Sequence, residues 1–245
     1  MLIKKNIPNF ITLLNLLCGV VATYYAVGGN APMSALMIAM GIFFDFFDGM
    51  AARLLKVSSP MGKELDSLAD MVTSGVAPGF IVYTVIKSGP CSSFAVVGLL
   101  IPLFAAWRLA KFNTDERQTH SFRGLPAPAN ALVWAAIGTS IGLSAKVSEM
   151  SLCSRTVEAI SLACSTMAGS VVIIALSLLL NVAMVSDIPM FSLKFKNLSW
   201  KDNKLQFLFL ACCALMLALF GILGIAFCIV LYIIFSLTFY RPDAD

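Results

Sequence analysis

"FFDFFDGMAARLLKVSSPMGKELDSLADM", residues 43–71, threads four aspartates, Asp45, Asp48, Asp66 and Asp70, through sequence that otherwise reads as oil. A carboxylate at the centre of a bilayer costs about 3 kcal/mol or more and is kept for packing, proton movement or a site. The rest of the chain says which solvent applies. Of 245 residues, 59% are hydrophobic and 12% charged, and the mean hydropathy is +0.90. Such a chain is too apolar for a soluble domain. The predicted fold is an all-α integral membrane protein, because a helix satisfies its own backbone in lipid.

Apolar runs between polar punctuation predict a bundle of about eight transmembrane helices, near 8–28, 33–55, 63–86, 92–112, 126–145, 158–185, 205–220 and 222–239. The last two form one apolar stretch, with Gly221 and Gly224 offering a turn. Read as a single helix, that stretch reduces the count to seven and moves the C-terminus across the membrane. Residues 1–245 are expected to form one membrane-embedded domain, with its characteristic motif at 45–70 and the last two spans peripheral. Lys4 and Lys5 precede an apolar run with no small-residue cleavage site, which predicts an anchor and not a removed signal.

Positive charge orients the bundle. With both termini cytoplasmic, 14 of the 17 Lys and Arg fall inside and only Lys87, Lys146 and Arg155 outside, as the positive-inside rule requires. The aspartates are then expected near the cytoplasmic face of the membrane. A net charge of +4 gives no footprint for nucleic acid, and no such partner is expected. The seven cysteines follow no metal-ligand spacing. Only Cys91 and Cys153 fall in expected outer loops, where they are candidates for a disulfide. His120 reads as a solvated loop residue, and the loop carrying Trp200 as one resting on anionic lipid.

Residues at i, i+3, i+4 and i+7 share a helix face. Asp45, Asp48, Gly49 and Ala52 therefore line one side of the second span, and Gly62, Asp66 and Asp70 one side of the third. Ser58, Ser59 and Pro60 suit a tight turn between them, so the two helices are expected to be antiparallel neighbours with converging carboxylates. Such groups repel unless protons or a cation neutralise them. Hard divalent ions are suited to oxygen donors, and four aspartates can supply two ions. Gly49, Ala52 and Gly62 leave room for a ligand, and Arg53 suits a phosphate. Packing explains any one aspartate as well; it explains four phased carboxylates poorly.

The pattern Asp45-x2-Asp48-Gly49-x2-Ala52-Arg53-x8-Gly62-x3-Asp66-x3-Asp70 resembles the complete signature of the CDP-alcohol phosphatidyltransferases. The resemblance implies transfer of a phosphatidyl group from a CDP-linked lipid to an alcohol, release of CMP, a requirement for Mg²⁺ or Mn²⁺, two ions being expected, and a homodimer. It implies metal binding by Asp45, Asp48, Asp66 and Asp70, with Asp70 also the general base, and a CDP site shaped by Gly49, Ala52, Arg53 and Gly62. Asn9 and Thr12, in "IPNFITLLN", match the family's frequent opening and either line the nucleotide pocket or start the first helix.

"GKELDSLADMVTSGVAPG", "WRLAKFN", "FRGLPAPANA" and "DIPMFSLKFK" resemble segments of the family's phosphatidylserine synthase branch. The implied substrates are CDP-diacylglycerol and L-serine, delivered from the bilayer and the cytoplasm. Arg108, Lys111 and Arg123 are candidates for the serine carboxylate, and Asn113 for its carboxylate or ammonium. Lys111 stands where relatives commonly carry a second Arg, so the charge is kept and the bidentate geometry is not. Other acceptors within the family, glycerol 3-phosphate or an inositol phosphate, remain open, as does a divalent-cation transporter from outside it.

Overall fold

The computed structural model describes residues 2–57, 59–114, 123–144, 162, 165–190 and 203–239. Every regular element among them is helical, apart from one isolated bridge between Arg123 and Pro189. The elements are α1 (Leu2–Val27), α2 (Ala31–Leu55), α3 (Pro60–Asp70), a π turn (Met71–Val76), α4 (Ala77–Lys87), a 3-10 segment (Ser92–Leu99), α5 (Leu100–Thr114), α6 (Ala127–Ser144), α7 (Met167–Val185), α8 (Lys204–Phe220) and α9 (Gly224–Phe239). The expected disulfide involves Cys153, which lies outside the described residues. Cys91 is buried, and its thiol meets the Met167 sulfur at 3.6 Å.

The faces are arranged for lipid. On α1, Phe10, Leu13, Leu17, Val20 and Tyr24 point outward, while Thr12, Asn15 and Ala22 are buried. The same inversion recurs inside the bundle, where Ser34, Thr73, Ser74 and Asn130 are buried. Hydrocarbon outside and polar groups inside is the pattern expected where the solvent is a bilayer. Six helical segments among the described residues are long and apolar enough to cross one, and a seventh, Ala127–Leu143, is shorter. The chain is an integral membrane protein.

The last of the six, Lys204–Thr238, is folded on itself. The Phe209 ring lies 5.6 Å from Phe235 and 6.0 Å from Tyr232, whereas a straight helix would separate Phe209 and Phe235 by about 39 Å. The reversal runs through Gly221, at φ +56°, where the absence of a Cβ makes the left-handed region accessible. Through α9 the hairpin packs on α6, and Ala226 and Ile229 join the main core with Trp134, Val82, Ile101 and Leu180.

Two departures from uniform α-helix matter for the site. Pro78 has no N–H to offer the Ser74 carbonyl, and the Ala77 N–H bonds back to Val72, five residues away. The result is the π turn directly after Asp70. The fourth span begins as the 3-10 segment Ser92–Leu99. There Gly98 touches α4 so closely that a Cβ would lie 2.6 Å from the Tyr83 nitrogen and 2.8 Å from the Gly79 oxygen. Backbone cannot step aside as a side chain can, so Gly98→Ala is expected to destabilise the protein by about 1–3 kcal/mol, read as a lower thermal midpoint in detergent. An unchanged midpoint would mean that this contact is slack.

Candidate active site

The turn between α2 and α3 is built from its ends. Lys56 takes the left-handed conformation (φ 51°), and its N–H caps the Ala52 and Arg53 carbonyls. Ser59 then accepts a hydrogen bond from the Gly62 N–H at 3.0 Å, with Pro60 in the first turn of α3. Ser59 at the N-cap followed by Pro60 is a strong start signal. The helices they join do not lie flush. α3 packs chiefly on α1, which also runs along α2, so α2 and α3 diverge and leave a space between them. The small residues Gly49, Ala52 and Gly62 border that space, and the mutually repelling carboxylates face it.

Asp45, Asp48 and Asp66 each present an oxygen, all within 4.8 Å of one another. The Asp45 and Asp66 carboxyls are within hydrogen-bonding reach, and the Thr12 hydroxyl donates to Asp48 Oδ2. Three carboxylates this close, Asp48 buried and Asp45 and Asp66 half-buried, form a hard, oxygen-only donor set that suits Mg²⁺ or Mn²⁺. Asp70 stands one turn beyond Asp66, outside this close group. Its Oδ1 accepts from the Asn15 amide at 3.2 Å, and the Arg108 guanidinium on α5 lies within electrostatic reach.

A cavity of about 210 Å³ opens beside the carboxylates, lined by Asp48, Asp66, Asn9, Thr12, Gly49, Ala52 and Gly62. A Cβ at Gly62 would come within 2.9 Å of Asn9 Oδ1, so glycine keeps this wall thin. Ser59 and Lys63 also line the cavity, and neither stands out in the sequence as a site residue. Arg53 is exposed and does not line the cavity; its Nε donates to the carbonyl of Gly49, which does, at 3.0 Å.

A second, small recess is walled by Arg108, Lys111, Arg123 and the Met184–Asp187 turn after α7. Gly124 makes it possible. At φ +75° its N–H reaches the Ile188 carbonyl at 2.9 Å while the Leu125 N–H reaches Ala183 at 3.0 Å. A Cβ there would fall 2.6 Å from the Met184 oxygen. Two segments far apart in sequence, "FRGLPAPANA" and "DIPM", are thus laced together. Lys111 pairs with Asp187 at 2.7 Å. Asn113 ties α5 to α3, donating to Ser67 at 2.8 Å and accepting from Lys63 at 3.1 Å through its carbonyl. The Arg123 Nε is buried without a hydrogen-bond partner among the described residues.

Asn15 and Thr73 are not legible in the sequence as site residues. Asn15 is the one polar residue in "LLNLLCG", a turn after Thr12, and that isolation in an apolar run is the signal that could have found it.

The carboxylates lie on two membrane helices joined by a tight turn, and the sequence that carries them has known relatives. The profile of the CDP-alcohol phosphatidyltransferases aligns with residues 5–168, and the chain belongs to that family, whose members are phosphotransferases. Its curated relatives carry a more particular name. It is 41% identical over 126 residues to the CDP-diacylglycerol--serine O-phosphatidyltransferase of Bacillus subtilis, covering 50% of this chain and 69% of that protein. It is 35% identical over 128 residues to the protein of that name from Helicobacter pylori, with 51% and 54% covered. For the one from Methanocaldococcus jannaschii the identity is 34% over 128 residues, with 52% and 58% covered. The matched stretch thus spans between about half and two thirds of these relatives.

Proposed function

We propose that this protein is a phosphatidylserine synthase, moving the phosphatidyl group of CDP-diacylglycerol to the hydroxyl of L-serine and releasing CMP. The observation that carries the reading is Arg108. Its guanidinium is within electrostatic reach of Asp70 and also lines the recess with Arg123, so an acceptor whose carboxylate pairs with it brings its hydroxyl toward Asp70. Asn9, Thr12, Gly49, Ala52 and Gly62 take the CMP portion in the larger cavity, and the guanidinium of Arg53, one turn from Gly49, swings to the diphosphate. Asp45, Asp48 and Asp66, with Asp70 beside them, hold divalent metal. Bound there, Mg²⁺ or Mn²⁺ supplies charge neutralisation at the diphosphate and at departing CMP.

Asp70 takes the proton of the serine hydroxyl as its oxygen attacks the phosphorus carrying diacylglycerol, and the bond from that phosphorus to CMP breaks. Serine enters opposite CMP, as in-line displacement demands. Lys111 pairs with Asp187, and the guanidiniums of Arg108 and Arg123 border the same recess, where a guanidinium can fork onto the serine carboxylate. The reading includes a single domain, a site open to the cytoplasmic leaflet of a bacterial inner membrane, and a homodimer. The charge distribution supports the orientation, and the family resemblance supports the homodimer.

The test is CMP release by purified protein in detergent with CDP-diacylglycerol and Mn²⁺ or Mg²⁺, comparing L-serine, glycerol 3-phosphate and an inositol phosphate. Serine-dependent release is expected, and release with another alcohol alone overturns the acceptor assignment. In the same assay Arg123→Met should raise the KM for serine about tenfold or more while leaving the KM for CDP-diacylglycerol unchanged. A rise in the lipid KM instead would move Arg123 to the nucleotide side.

A further inference from the structure

Thr12 and Asn15 lie one turn apart on the buried face of α1, and each donates a hydrogen bond to a carboxylate on a different element, Asp48 on α2 and Asp70 on α3. Asn15 is wholly buried and its amide is used at both ends. Its Nδ2 reaches Asp70 Oδ1 at 3.2 Å, and its Oδ1 accepts from the Thr73 hydroxyl at 2.8 Å. That hydroxyl is also 3.1 Å from the Asn15 carbonyl. The Asp70 contact determines the amide's orientation, because reversing it would set Oδ1 against a carboxylate oxygen, and in the orientation observed the Thr73 hydroxyl donates to Oδ1.

The fold makes unusual room for this pair. Thr73 sits in the π turn, pressed between α1 and α2 at two glycines. A Cβ at Gly19 would overlap Thr73 Oγ1 and lie 2.9 Å from its backbone nitrogen. One at Gly41 would lie 2.5 Å from Thr73 Cγ2 and 2.9 Å from Asn15 Oδ1. Three elements therefore close on a single amide, and that amide ends on Asp70.

We infer that Asn15, held by Thr73, is a positioning residue for the reaction: it engages Asp70 Oδ1 and so presents Oδ2 toward the acceptor hydroxyl. The inference rests on the reading of Asp70 as the proton acceptor. Asparagine is the side chain that fits, since aspartate would oppose a second carboxylate and serine would not span the gap. The competing role is interhelical glue, as polar residues often serve between membrane helices. The two roles load Thr73 differently. Positioning uses its hydroxyl, whereas packing uses its methyl against Gly41.

The experiment compares Thr73→Ser, which keeps the hydroxyl, with Thr73→Val, which keeps the methyl, using the full chain in detergent. CMP release and thermal midpoint are measured beside wild type, Asp70→Asn and Asn15→Leu. Thr73→Ser is expected within about threefold of wild-type kcat and Thr73→Val about tenfold below it, with Asn15→Leu lower by up to about a hundredfold and both KM values nearly constant. If Asn15→Leu does not fold, the Thr73 pair decides alone. A serine variant less active than the valine variant, a valine variant with wild-type kcat, or a loss confined to KM overturns the inference. Absence of serine-dependent release in wild type instead takes down the functional reading on which it stands.

Discussion

Asp70→Asn is expected to lower kcat for serine-dependent CMP release by about a thousandfold, the scale on which a positioned general base acts, while the protein stays folded. The substitution is nearly isosteric. Its side-chain oxygen can still accept from Asn15, so the contact at 3.2 Å between α1 and α3 survives. What is lost is the capacity to take a proton. The thermal midpoint in the absence of divalent metal should hold or rise, because one of four neighbouring carboxylates has been neutralised and the others gain from reduced repulsion. Measuring kcat and the midpoint on the same preparation separates the two effects. Activity within tenfold of wild type would remove Asp70 from the proton-accepting role and direct attention to another group near the acceptor.

The second large effect concerns the close triad. Asp66→Asn should abolish activity and also abolish the stabilisation that Mn²⁺ or Mg²⁺ confers on the wild-type protein. An ion present at a hundredfold over its dissociation constant stabilises by about 2.7 kcal/mol, and that increment is read as the difference in thermal midpoint between metal and chelator. Asp66 is chosen because it is the α3 member of the triad. Without it, Asp45 and Asp48 remain on α2, with no carboxylate of the close group facing them from across the cavity. An Asp66→Asn protein that is still stabilised by metal would show that the ion is held elsewhere, and the donor set would have to be redrawn.

Much of the site is legible in the sequence alone, and for physical reasons. Charge in oil is conspicuous, so Asp45, Asp48, Asp66 and Asp70 announce themselves, and the 3.6-residue period sorts them onto two faces. Ser59 and Pro60 announce the turn because capping chemistry is local, whereas the left-handed Lys56 does not. Gly221 marks the final reversal by the same logic. The divergence of α2 from α3 is not legible, since it depends on α1 packing against both. Nor is the π turn, because a shift from four-residue to five-residue hydrogen bonding leaves no periodic trace; Pro78 is its sole clue. Lys111 reads as an open cation, and its pairing with Asp187 arises from a contact between segments 76 residues apart. Asn15 and Thr73, neutral and short, look like ordinary membrane-helix residues until the fold brings their partners to them.

The position of α1, alongside both α2 and α3, has a mechanical consequence. The α1–α2 pair, joined by the short turn at Gly28–Asn30, forms an extensive contact that sets the Thr12 hydroxyl against Asp48. One turn further on, Asn15 sets its amide against Asp70. A single helix thus grips one carboxylate from each acidic helix, so that any slide of α1 along its axis would disturb both at once.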